Sequence, residues 1–159
     1  MEQKGIANIL KIFCIGVALV GALFFFWYMP ERIGELSGLH PETIHLKWPG
    51  IIGIWMIAVL CYIALGSFWS ICTRIGKDNS FCMENAKSMK IIGVLALLAA
   101  ILVLGSIIFL ACVNWLSKEY AVRMFFLVCI AVGIGVICLA LSALIQRAAL
   151  LKEENDLTI

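Results

Sequence analysis

Four long apolar runs, separated by short polar connections, dominate the chain; they cover 12–29, 51–72, 91–116 and 124–145, and none holds an Asp, Glu, Lys, Arg or His. At about 1.5 Å of rise per residue, each matches a hydrocarbon layer of about 30 Å. Lipid offers backbone groups no hydrogen-bonding partner, so such runs must be helices or strands of a closed barrel. They lack the period-two alternation of a barrel strand, and helices follow. The first run is longer than the apolar part of a signal peptide and ends in the bulky series Phe24-Phe25-Phe26-Trp27-Tyr28, so it reads as a retained span that stops at Pro30.

Composition agrees with this pattern: 64% of the 159 residues are apolar and 14% charged, against roughly 45–50% and 25% in soluble domains. The expected fold is all-α, an integral membrane bundle of four transmembrane helices forming a single domain over 1–159. Its middle connection is a loop at 73–90, and its tail covers 146–159. A net charge of +2 is too small and too dispersed for nucleic-acid binding by bulk electrostatics.

Position matters more than total charge. Lys4, Lys11, Arg74, Lys77, Lys87, Lys90, Arg147 and Lys152 fall on one side of the expected layer, and Arg32, Lys47, Lys118 and Arg123 on the other. The positive-inside rule then places both termini and the 73–90 loop in the cytoplasm, in a multi-pass protein of the cell membrane. Trp27, Tyr28, Trp48, Trp115 and Tyr120 mark the outer boundary and Trp69 the inner one.

Between spans, close packing needs small residues, and Ala18 with Ala22, Ala96 with Ala100, and Ala131 with Gly135 each share a helix face. Six of the seven cysteines lie in or at the ends of apolar runs and read as small apolar residues; no C-x-x-C pair is present. Without ionisable groups at depth, a pump, a coupled transporter or an intramembrane protease is not expected. His40, Glu42 and His45 in the first outer connection do not share one helical face and lack a fourth ligand, so neither metal nor cofactor is expected. No nucleophile–base pair is apparent, and the chain is not expected to be an enzyme.

The 73–90 loop is the most distinctive segment. Gly76 and Asp78-Asn79-Ser80 read as a turn with Ser80 as a possible helix cap. From about Met83 the chain reads as a helix that continues into the third span, with Met83, Ala86 and Met89 on one apolar stripe. The tail places Leu157 and Ile159 after the acidic Glu153, Glu154 and Asp156, a pattern open to simple solvation or to docking as a peptide.

The residues Gly76-Lys77-Asp78-Asn79-Ser80-Phe81, then Glu84-Asn85-Ala86-Lys87, and the closing stretch from Leu151 to Ile159 resemble the domain-of-unknown-function 2975 family of small bacterial membrane proteins. The family commonly has threonine at the helix cap where this chain has Cys82. The resemblance implies a regulatory partnership with a small cytoplasmic helix-turn-helix transcription regulator. On that reading the partner meets Lys77, Asp78, Asn79, Phe81, Glu84, Asn85 and Lys87 in the loop, and Glu153, Glu154, Asn155, Asp156 and Leu157 in the tail. The alternative is a small channel or an accessory subunit of an exporter, assembled through the small-residue faces.

Overall fold

In the computed structural model, residues 3–39, 47–77, 79–112 and 117–157 are described. All regular structure among them is helical: α1 (Gln3–Ala22), a π-helical turn (Leu23–Tyr28), α2 (Met29–Leu39), α3 (Lys47–Ile75), α4 (Met83–Cys112) and α5 (Lys118–Leu157). Four stretches are long and apolar enough to cross a membrane: Lys4–Glu35, Lys47–Ile75, Met83–Cys112 and Lys118–Asn155. With four antiparallel passes in succession, the N-terminal end of α1 and the C-terminal end of α5 lie on the same side, here called the termini end.

The helices are longer than the apolar runs alone. α3 runs past the end of the second run and α4 begins ahead of the third, so the 73–90 loop contracts to the short turn between Ile75 and Met83. The first span does not stop at Pro30. A proline inside a helix lacks an N–H and crowds the carbonyl four residues back. Here the preceding turn widens, the Met29 N–H donates to the Phe24 carbonyl five residues back, and the helix continues as α2. Around that turn Phe24 stacks on Tyr28 with ring centroids 5.7 Å apart, and Arg32 lies 5.3 Å from the Tyr28 ring centroid.

The partition of side chains is inverted relative to a water-soluble domain. Ile12, Phe13, Trp27 and Phe126 face outward, whereas the buried positions are mostly small: Ala7, Cys14, Ala58, Cys72, Ala86 and Ala100. A surface of that kind is stable against hydrocarbon and costly against water.

Each seam repeats every seven residues. On α4 the buried Ala86, Gly93 and Ala100 are so spaced; on α5 they are met by Val128, Gly135 and Ser142. The Ser142 hydroxyl donates to the Ala86 carbonyl at 2.7 Å, and Gly93 and Gly135 meet backbone to backbone. Continuing that antiparallel register by seven puts Ala100 opposite Val128. A β-carbon added to Gly93 would sit 3.0 Å from the Gly135 carbonyl oxygen, and one on Gly135 would sit 3.1 Å from that of Gly93. A seven-residue repeat keeps a seam facing its partner when helices cross with a left-handed twist.

The other pairs use the same device. Ala7, Cys14 and Gly21 of α1 run against α3, where the Cys14 thiol donates to the Leu65 carbonyl at 3.7 Å and the Tyr62 hydroxyl to the Ala18 carbonyl at 2.9 Å. A β-carbon on Gly76 would lie 3.1 Å from that of Ala7, so α1 packs directly beneath the turn that follows α3. α4 has its most extensive contact with α5, then with α3, and α3 meets α1; α1 makes no close backbone approach to α4 or α5. The four passes therefore stand in a row in chain order, with α1 and α5 at its two edges.

A candidate docking surface at the termini end

The turn between α3 and α4 is built from its own backbone outward. Gly76 N–H donates to the Cys72 carbonyl at 3.1 Å, while Lys77 and Asn79 N–H groups both reach the Arg74 carbonyl, at 3.1 and 3.2 Å. These bonds satisfy carbonyls that the end of α3 would otherwise leave open. α4 then starts at Met83 with Cys82, not Ser80, in the capping position: the Cys82 carbonyl accepts from Asn85 and Ala86 N–H groups. Ser80 instead offers its carbonyl to the side chain of Asn85.

Asn85 is the centre of the turn. It is 1% exposed, donates from Nδ2 to the carbonyls of Ser80 at 2.9 Å and Asn79 at 3.3 Å, and accepts from Arg74 Nη1 at 3.3 Å. The same Nη1 donates to the Ser88 hydroxyl at 3.0 Å. One amide thus ties α3, the turn and α4 together, and among the described residues no buried side-chain nitrogen or oxygen lacks a partner. Glu84, one residue into α4, has its carboxyl held below the usual range, first by its own backbone N–H and then by the Cys82 side chain.

The residues singled out from the sequence fall into three groups. Lys77, Asn79, Phe81, Glu84 and Lys87 present exposed side chains, with Phe81 at 58%. Asn85 points inward, so any part it plays in docking runs through the shape of the turn rather than through contact. Glu153, Glu154 and Asn155 are exposed on the last turns of α5, which continues as a helix through Leu157 instead of ending as a loose peptide. For Asp156 and Leu157 only the backbone is described, while Asp78 and the His40, Glu42, His45 group lie outside the described residues.

Loop and tail come together. Asn79, Phe81, Cys82 and Met83 line one wall of an open cleft of about 310 Å³, and Ala149, Lys152 and Glu153 of α5 line the other. At 40 residues, α5 is about 60 Å long, twice a hydrocarbon layer, so one end of it must stand in water. The Met83-Ala86-Met89 stripe is largely taken up by this arrangement, since Ala86 is buried on α5. A larger groove of about 450 Å³, lined by Phe26, Trp55, Ala58, Val59, Tyr62 and Ile63, lies between the π-helical turn and α3. Its one hydroxyl, that of Tyr62, is already engaged by the Ala18 carbonyl, and the Trp55 indole adds a single N–H, so the groove is chiefly apolar and offers shape to an acyl chain.

Arg74, Ser88, Ser142 and Ala149 are the contributors that sequence reasoning missed. Ser88, one turn after Asn85, and Ser142, seven residues after Gly135, were the available signals.

Helices of this length and polarity, outward apolar faces and small-residue seams define a four-helix protein built to cross a membrane. More narrowly, a family of proteins of unknown function, DUF2975, matches residues 31–159, and the chain belongs to that family. No curated protein and no solved structure matches it.

Proposed function

We propose that this is a non-enzymatic protein of the bacterial cell membrane whose termini end faces the cytoplasm and holds a helix-turn-helix transcription regulator there, releasing it on a signal. The observation that carries the reading is the single composite surface: the α3–α4 turn, stiffened by Asn85, and the emergent end of α5 enclose one cleft with an exposed phenylalanine at its rim. An exposed aromatic side chain at the rim of a concave site that mixes apolar and charged lining is the kind of anchor on which protein interfaces concentrate their energy. Family resemblance supplies the nature of the partner. Nothing in a row of four helices encloses a passage, so the alternative, a channel or an exporter subunit, would need several copies.

The direct test is co-purification in mild detergent of the membrane protein with a helix-turn-helix regulator from the same cell, taken first from genes beside its own. The intact chain is expected to retain the regulator, while Phe81→Ala and a chain truncated before Lys152 each lose most of it. If neither the intact nor the truncated chain captures that regulator, the proposal is abandoned.

A further inference from the structure

Arg74 stands in an unusual electrostatic position. Its Nη1 is fixed by two neutral oxygens, Asn85 Oδ1 and Ser88 Oγ, and among the described residues no carboxylate lies within ion-pair distance of it. A guanidinium has five N–H donors, and Nε and Nη2 are engaged by no described residue, yet they are not buried without partners. One edge of the fork is therefore oriented by the protein, and its other donors are claimed by no described residue.

Its height in the fold says which anion. Lys11 places its ammonium 5.5 Å from the Trp69 ring centroid, a pairing suited to the membrane–water border. Arg74 lies five residues beyond Trp69, about 8 Å further along α3, at the depth of lipid headgroups. Lys87 and Lys90, both exposed, flank Ser88 on α4 at the same height. Glu84 is the one described acidic residue in this layer; it feels the field of Arg74 and Lys87 without pairing with Arg74. Glu153 and Glu154 sit on α5 eleven and twelve residues past Ser142, at least about 16 Å further into water. Basic side chains thus gather at the border, while Glu153 and Glu154 stand further out beside Lys152, an arrangement that leaves the border layer basic toward an anionic leaflet.

We propose that Arg74, preoriented by Asn85 and Ser88 and supported by Lys87 and Lys90, binds the phosphate of an anionic lipid headgroup. The fork meets the phosphate through paired N–H donors, a geometry that lysine does not reproduce. This inference stands apart from the docking of a regulator, since it requires no protein partner.

The test uses the full chain purified in neutral detergent, exposed to equal amounts of phosphatidylglycerol and phosphatidylcholine, with retained lipid counted by native mass spectrometry. The expected result is about tenfold preference for phosphatidylglycerol, from roughly one basic side chain's worth of surface attraction or slightly more. Arg74→Gln should remove most of it and Arg74→Lys should reduce it about threefold, because the charge stays and the fork is lost. Lys87→Gln with Lys90→Gln leaves the turn intact and should lower the preference in part, which keeps the proposal testable if Arg74→Gln does not fold. Unchanged preference in Arg74→Lys and in the double lysine variant overturns it. An increase in melting temperature by inorganic phosphate equal to that by phosphatidylglycerol would also overturn it, by assigning the site to a free anion.

Discussion

Replacing Gly93 with leucine is expected to force α4 and α5 apart and to destabilise the protein by about 3 kcal/mol, at the top of the range for overpacked cores. The cause is backbone against backbone. Even a methyl at this position would sit 2.9 Å from the Leu139 Cγ and 3.0 Å from the Gly135 carbonyl oxygen. A leucine can swing away from a side chain but not from a main-chain oxygen on the facing helix. Gly135→Leu should behave alike, its β-carbon meeting Leu97 at 2.8 Å and the Gly93 carbonyl at 3.1 Å. The contrast is Gly105→Ala and Gly133→Ala: nothing lies within 4 Å of either β-carbon, so these should be neutral or stabilise by up to about 1 kcal/mol through helix propensity. Unfolding in mixed micelles with increasing dodecyl sulfate, followed by loss of helical circular dichroism, reads all four. If all four glycines respond alike, the seam is not where the geometry puts it.

Asn85→Leu should be nearly as damaging, by a different route. Leucine is close in size and accepted by an apolar surrounding, so little packing is lost. The loss is polar: the carbonyls of Asn79 and Ser80 give up their donor and Arg74 gives up an acceptor. At about 1–3 kcal/mol for each buried group left unpaired, the total is about 3 kcal/mol, reduced by whatever water the opened turn admits. Asn85→Asp should not rescue it, because a carboxylate would satisfy Arg74 while facing two carbonyl oxygens. The expected signature is local: faster tryptic cleavage at Lys77 in the folded protein, with helicity little changed. Glu84→Gln, an exposed neighbour, should leave the cleavage rate near that of the native chain. Equal cleavage of native and Asn85→Leu protein would remove the clamp from the account.

How far the sequence carries the fold is clear from particular residues. Four spans could be read directly, because length and absence of charge leave hydrocarbon as the only stable surrounding. The seams were half visible. Ala100 and Gly135 were found through four-residue spacings, yet their actual order is sevenfold, through Gly93 and Ala86 on one helix and Val128 and Ser142 on the other. A four-residue rule sees one face of a straight helix, whereas a twisted antiparallel pair selects every seventh position.

Pro30 misled because a proline usually ends a helix, and nothing local announces that the preceding turn will widen to accept it. Ser80 has the chemistry of a cap, but the turn closes on Asn85, three residues past the Cys82 cap and already inside the first turn of α4. Asn85 itself looked like one more polar residue of a polar loop; its burial depends on α3 and α4 closing over it, which is tertiary information. The tail was read as a solvated or docking peptide from its charges, while Ala148 to Glu154 are strong helix formers that simply prolong α5. Its pairing with the turn across one cleft depended on the antiparallel register, and that register was not legible before the seam was known.

The central claim is that the chain crosses the bilayer four times, with the turn between α3 and α4 and the end of α5 together on the cytoplasmic side. Single cysteines introduced as Glu35→Cys, Lys77→Cys, Ser117→Cys and Lys152→Cys in a chain freed of its native cysteines, labelled in intact cells with a membrane-impermeant maleimide, test it most directly. The expected result is labelling at positions 35 and 117 and protection at 77 and 152 until the membrane is opened. Labelling of 77 and 152 on opposite sides would contradict the account at its root.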